Sequence, residues 1–178
     1  MTQTEQIEIP LSKKKILLIL FGAVAFVVIG VFFVINPSMF ISTVARNSTI
    51  IFIAGLASVL FFGLCAIFAF RKLFDKKVGL AINREGIIDN SSGVSAGLVL
   101  WSDIKEIEIC SVAGQKFLMI IVKNPQDYID KFTSPLKRKA MEMNYKTYGS
   151  PISISANSLQ TNFDKLHNLL TEKLKEYR

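Results

Sequence analysis

The sequence predicts a membrane α-hairpin of two transmembrane helices carrying one α+β cytoplasmic domain, and three observations predict it. Two apolar runs, Ile16–Ile35 and Ile50–Phe70, contain no charged residue. Basic residues crowd the outer flank of each run, with Lys13, Lys14 and Lys15 before the first and Arg71, Lys72, Lys76 and Lys77 after the second. Beyond Lys77, solid apolar sequence gives way to short alternating stretches broken by turn residues, the signature of a small antiparallel sheet.

Each run spans roughly 30 Å as a helix at about 1.5 Å per residue, which matches the hydrocarbon core of a bilayer. The first holds sixteen Leu, Ile, Val or Phe residues, so insertion is favoured by several kcal/mol, roughly. These runs give spans at 16–36 and 50–70, with a loop at 37–49 and a basic juxtamembrane segment at 71–77. Asn36-Pro37 ends the first helix because Pro pushes the residue before it out of helical geometry. The loop carries only Arg46, so the positive-inside rule places both termini in the cytoplasm and the loop outside, as in a multi-pass inner (plasma) membrane protein. The first run is longer than a signal-peptide core of about 7–15 residues. Thr43-Val44-Ala45 is a tolerable cleavage context, but the run reads as a retained anchor. Asn47-Ser48-Thr49 fits the glycosylation pattern and reads as chance so close to the bilayer.

The chain of 178 residues carries a net charge of +7. Residues 1–78 account for +5 of it and residues 79–178 for +2. The excess borders the membrane, where it sets topology and attracts anionic lipid, which argues against nucleic acid as a partner. Cys65 and Cys110 read as free thiols packed like small apolar side chains, since a bridge would draw the soluble part into the bilayer.

Residues 78–178 form one domain. Val78, Leu80 and Ile82 alternate as a first strand, and Asn83-Arg84-Glu85-Gly86 is a turn. Ile87 to Asn90, Leu98 to Trp101, Ile107 with Ile109, Phe117 to Val122 and Ile152 with Ile154 give five more strands. The nearly all-apolar Phe117–Val122 strand reads as central. Thr161 with Asp164 resembles a capping box opening a helix over 161–177. Phe163, Leu166, Leu170, Leu174 and Tyr177 lie on one face of it. Between the fifth and sixth strands, the insertion 124–149 starts helices at Asn124-Pro125 and Ser134-Pro135. In the N-terminal segment 1–15, Ile7, Ile9 and Leu11 alternate with Glu8 and Pro10, which predicts a seventh strand paired to a sheet edge.

Strands first and an amphipathic helix last, with Trp101-x-Asp103-Ile104-x-x-Ile107 between, resemble a bacterial pleckstrin-homology-like domain. The stretches Ile7-x-Ile9-x-Leu11-Ser12-Lys13 and Tyr148-Gly149-Ser150-Pro151-Ile152-Ser153-Ile154 extend the likeness over essentially the whole chain. Together they resemble an uncharacterised family of small bacterial proteins with two transmembrane helices and such a domain at the C-terminus. The resemblance implies an antiparallel sheet or barrel capped by the C-terminal helix. It implies no activity, because that architecture serves lipid and protein binding alike. The basic phosphoinositide loop of eukaryotic relatives does not carry over, since the first turn sets Arg84 beside Glu85.

Catalytic constellations are absent from the sequence pattern. His167 is the only histidine, three residues after Asp164, and the two read as a surface pair. There is no phosphate loop and no metal-ligand spacing, so no cofactor is implied. Asp103 reads as a turn-fixing residue, Asp127 and Asp130 as a solvated face, and Trp101 as core within a strand. No charge interrupts either span, so no proton relay is written there. Gly22, Gly30, Ala54, Gly55, Ser58 and Gly63 permit close helix packing.

The expected function is a non-catalytic binding or scaffolding module that presents a sheet edge or groove to a protein partner. Two alternatives stand beside it: an inner-leaflet module that senses anionic lipid, and an accessory subunit of a transporter or membrane enzyme. Lys131, Lys137, Arg138, Lys139 and Lys146 make the insertion the candidate lipid- or partner-binding surface, with Leu136, Met141, Met143 and Tyr145 offering apolar contact. Lys137–Lys139 is also read as a solvated helix face. The oligomeric state stays open.

Overall fold

The computed structural model describes residues 6–41 and 47–178; Arg46 and Thr43-Val44-Ala45 fall outside them. The chain divides into two compact units, Lys13–Lys76 and Met1–Ser12 with Lys77–Arg178.

The first unit is a hairpin of α1 (Lys13–Ile35) and α2 (Ser48–Leu73), both long and apolar enough to cross a membrane. The helices outrun the spans read from sequence because their polar ends are also helical. α1 includes the three lysines and α2 continues through Arg71 and Lys72. Asn47 caps α2 by accepting the Thr49 amide at 2.8 Å. A 3₁₀ turn, Pro37–Phe40, follows α1. The pairing is antiparallel: Lys13 Nζ reaches the Leu73 carbonyl, Ser58 Oγ donates to the Phe26 carbonyl at 3.0 Å, and the Phe26 and Phe62 rings stack at 4.4 Å.

Gly55 makes close approach possible. A Cβ there would lie 2.7 Å from the Phe33 Cβ and 2.8 Å from the Gly30 carbonyl. Gly22 and Gly63 have nothing within 4 Å, and Ala54 is exposed. Of the small residues, then, Gly30, Gly55 and Ser58 form the contact within this hairpin.

The second unit, the head, holds two antiparallel sheets. One runs β1 (Ile7–Ile9), β2 (Leu80–Ile82), β3 (Gly86–Asp89) and β4 (Gly97–Leu100) in that order. The other runs β5 (Ile104–Val112), β6 (Gln115–Val122) and β7 (Ser153–Ile154). They do not close into a barrel. The N-terminal stretch is a strand: Ile7 lies opposite Ile82 and Ile9 opposite Leu80. Pro10 falls just beyond the ladder, where its missing amide costs nothing. β6 lies between its two neighbours, as its apolar sequence predicts.

Local chemistry sets the turns. Asn83 Oδ1 accepts the Glu85 and Gly86 amides, both at 3.0 Å, and closes the β2–β3 turn. Ala113 (φ +48°) and Gly114 (φ +77°) form the two-residue turn between β5 and β6. Trp101 is buried, but it opens a 3₁₀ turn (Trp101–Asp103) rather than ending a strand. Its indole donates to the Asn83 carbonyl at 2.8 Å, satisfying the one polar atom it buries.

Three helices complete the head: α3 (Pro125–Asp130), α4 (Pro135–Tyr148) and α5 (Phe163–Tyr177). Both Pro-started helices of the insertion form, and Gly149 (φ +76°) ends α4. α5 begins two residues later than the sequence suggests. Its cap is Asn162, accepting the Lys165 amide at 2.9 Å, in place of the Thr161–Asp164 box. Leu166, Leu170 and Leu174 are buried, as the periodicity requires.

Candidate functional site

The head has four sheet edges, and three are short or covered. β1 is continued by residues 10–12, which bond to 158–160: Ser12 N donates to the Ser158 carbonyl at 2.7 Å and Gln160 N to the Pro10 carbonyl at 2.9 Å. At the β4 edge, the Leu100 amide finds the Tyr128 hydroxyl at 3.3 Å instead of another strand. β7 is two residues long. β5 is the exception: nine residues, paired only with β6.

The register tells which β5 groups point outward. The Ile120 amide donates to the Ile152 carbonyl at 3.0 Å, toward β7. Ile120 therefore turns its backbone groups away from Ile107, opposite it on β5, and the pair is of the non-hydrogen-bonded kind. Ile107 and, two residues on, Ile109 accordingly aim their N–H and C=O groups at the open edge. The Lys105 carbonyl, on the same outward side, accepts Arg178 Nη1 at 2.8 Å.

Beside this edge lies a hollow of about 280 Å³ between β5 and α5. Ile107, His167, Thr171 and Leu174 line it together with the charged Lys105, Glu106, Lys175 and Arg178. Thr171 Oγ1 is buried there without a partner among the described residues. Ile109, farther along β5, is 54 % exposed. His167 does not pair with Asp164 as the spacing suggests; its ring stacks on Phe163 at 6.3 Å. The opposite face of the sheet carries Cys110, Phe117 and Met119 against Asn144 and Tyr148 of α4. Cys110 and Cys65 are both free thiols, half-buried.

The basic residues singled out in the insertion separate into two groups. Arg138 pairs with Asp130 at 2.7 Å. Lys137 lies over the Phe132 ring at 4.9 Å and Lys131 over the Tyr128 ring at 5.8 Å. Lys139 and Lys146 are exposed on α4, with no ion-pair partner among the described residues. Met141 is fully buried and offers no surface contact, whereas Leu136 and Met143 are exposed. Lys137–Arg138–Lys139 is thus no single cationic cluster.

The basic residues that flank the two apolar runs also differ among themselves. Lys13 bonds the Leu73 and Asp75 carbonyls at 2.5 and 2.7 Å, closing the C-terminal end of α2. Lys72 is buried and pairs with Asp75 at 2.9 Å. Lys14, Lys15, Arg71, Lys76 and Lys77 are exposed.

Two carboxylates that sequence reading assigned to turns or passed over have defined work. Asp103 Oδ2 accepts the Tyr128 hydroxyl at 2.8 Å, tying α3 to the 3₁₀ turn that follows β4. Burial and that bond push the Tyr128 hydroxyl up to about 12, so it stays a donor. Asp89 is buried, and its oxygens accept the Ser91 amide (2.8 Å), the Ser91 hydroxyl (2.6 Å) and the Ala96 amide (3.3 Å). Burial raises its pKa, and these bonds oppose the rise. On α5, the Lys173 hydrogen bond lowers Glu176.

No protein-family model, curated protein or solved structure matches this chain.

Proposed function

We propose that this chain is a non-catalytic binding module: a hairpin-anchored head of pleckstrin-homology-like plan, on the cytoplasmic side of a bacterial inner membrane, that takes an extended protein segment along β5. The observation that carries the reading is the accounting of sheet edges. β5 is the one long edge without cover among the described residues, and Ile107 and Ile109 offer it two sets of backbone donors and acceptors. An added strand would satisfy them while its side chains enter the hollow beside α5. Lys105, Lys175 and Arg178 outnumber Glu106 among the charged residues that line the hollow, which favours an acidic segment. Lys105, Glu106 and Glu108 on the strand discourage indiscriminate pairing, as charges on edge strands do. Four strands, then three, then a terminal helix support the pleckstrin-homology-like plan.

Cytoplasmic placement of both termini is supported by the lysines and arginines outside the apolar runs. A reporter active only in the periplasm, fused after Arg178, should stay silent; activity there would reverse the topology and remove cytoplasmic partners from consideration.

The binding reading is tested by offering a displayed library of extended peptides to the full chain in bilayer discs. Acidic sequences of alternating pattern should be enriched, and the Ile107 and Ile109 amides should gain exchange protection when one binds. Ile109→Pro removes one outward N–H from a largely exposed position that donates nothing to β6. It should leave the fold intact and weaken binding by about tenfold, the worth of roughly one hydrogen bond. Equal enrichment by wild type and Ile109→Pro would sink the edge-pairing mechanism.

A further inference from the structure

We infer that the outward face of α4 is a second docking surface, and that its occupant is the anionic headgroup region of a bilayer. The inference rests on the membrane anchorage in the reading above and is independent of the β5 edge.

The inward side of α4 is defined by its contacts. Met141 is fully buried, Asn144 Nδ2 donates to Ser153 Oγ at 3.4 Å, and Asn144 and Tyr148 line the hollow over β6. Lys137, on the same side, is spent on the Phe132 ring. At about 100° per residue, these four positions fall within an arc of roughly 60°. On the opposite side, Lys139 and Lys146 lie about 20° apart, and Leu136 and Met143 flank them so that all four share an arc of roughly 80°. Leu136 is 78 % exposed and Met143 60 %. Singly, an exposed Leu or Met means little. Here two apolar tips stand beside two cations without ion-pair partners among the described residues, on a helix whose Arg138 is already paired with Asp130. Glu142, the one acid on this helix, lies about 40° from Lys146 and about 60° from Lys139, on the side away from Leu136 and Met143, and forms no ion pair with either lysine among the described residues.

The composition of the stripe selects a surface over a pocket-bearing protein. Long flexible apolar chains with lysines between them suit a boundary whose lower layer is hydrocarbon and whose upper layer is anionic. The covalent chain supplies the proximity. α1 begins one residue after Ser12, and α2 ends at Leu73, seven residues before β2 starts at Leu80. Tethering so short makes contact with the same bilayer intramolecular, and a weak patch then suffices.

The test uses the full chain in bilayer discs of phosphatidylcholine alone or of phosphatidylcholine with phosphatidylglycerol. Co-migration with the discs checks the anchorage by itself. A water-soluble lysine-acylating reagent is added, and each lysine's rate is read by mass spectrometry. Lys139 and Lys146 should react about fivefold more slowly in the anionic discs, the factor for one lysine held at an anionic surface. Lys165 on α5 should be unchanged. Raising salt to about 1 M, where the Debye length is near 3 Å, should restore the phosphatidylcholine rates. Leu136→Ser with Met143→Ser, both at exposed positions, should cut the protection with the fold retained. Equal rates in the two compositions, or protection that high salt leaves intact, overturns the inference while leaving the anchorage and the β5 reading standing.

Discussion

The hairpin and the head are both rich in Leu, Ile, Val and Phe, and they turn those side chains in opposite directions. On α1 and α2, Leu18 is 75 % and Leu64 67 % exposed; in the head, Leu80, Ile87 and Leu118 are fully buried. Two helices satisfy their own backbone groups and can present apolar side chains outward to lipid. The head, assembled from strands that need neighbours, puts its apolar side chains inside and leaves backbone groups at its edges. The difference teaches where specificity lies. The hairpin buries few residues, Ile16, Ala23, Ile51, Ala69 and Lys72 beside Gly30 and Gly55, whereas the head must dispose of every edge, turn and buried polar atom individually.

Glycine sharpens the comparison, because it is indispensable in each unit for a different reason. A Cβ at Gly86 would lie 2.1 Å from the Val99 carbonyl oxygen, inside the β3–β4 ladder. Gly86→Ala should cost about 3 kcal/mol or more and lower the melting temperature of the head by about 10 °C or more. Trp101 is the only tryptophan and is buried in the head, so its fluorescence reports that transition alone. In the hairpin, Gly55→Leu should force the helices apart at a cost of about 2 kcal/mol, read as loss of compact migration in detergent. Gly63→Leu, facing open space, should do neither. If Gly55→Leu shifted the Trp101 transition as strongly as Gly86→Ala does, the two units would not be the separate structures described here.

What could be read in the sequence follows the same division. Both long apolar helices were legible because length and uninterrupted apolarity are properties of consecutive residues. The strands near 80–82, 86–89, 97–100, 104–112 and 115–122 showed in their alternation and their turns. The edge place of the N-terminal strand and the central place of β6 also showed, but the rest of the strand order did not, because pairing joins residues far apart in sequence. The open edge of β5 was therefore invisible, and with it the hollow beside α5. The insertion helices were legible from Asn124-Pro125 and Ser134-Pro135. The fate of their cations was not, because Asp130 and Phe132 decide it from outside α4. At Asn162, one residue of drift separated the true cap from the expected box, since Thr161 and Asn162 are both good capping residues.

Asp89 is the site at which the head departs furthest from a simple apolar interior, and its effect should be the smallest of those considered. Asp89 falls within the strand read over Ile87 to Asn90, where nothing in the sequence marks it as buried, yet the carboxylate is buried and organises the Ser91–Ala96 loop that leads into β4. Because burial raises its pKa, the folded head holds the Asp89 proton to higher pH than the unfolded chain does. Folding then takes up a proton between the unfolded value, about 3.9, and the raised folded value. This group's contribution is most favourable below that window and declines as pH rises through it, the reverse of a salt-bridged carboxylate. Asp89→Asn removes the titration but keeps one acceptor oxygen for Ser91, and it sets an amide NH₂ or an unfilled acceptor against the Ala96 amide. It should cost about 1–2 kcal/mol at the acid end of that window, where the wild-type contribution is most favourable. The gap to wild type should narrow as pH rises through that window, because only the wild type carries a carboxyl whose burial opposes ionisation. Denaturation monitored at Trp101 over that range measures both proteins. A gap that widens with pH would mean that the Ser91 and Ala96 bonds outweigh burial and that the ionised form is the one the loop was built to hold.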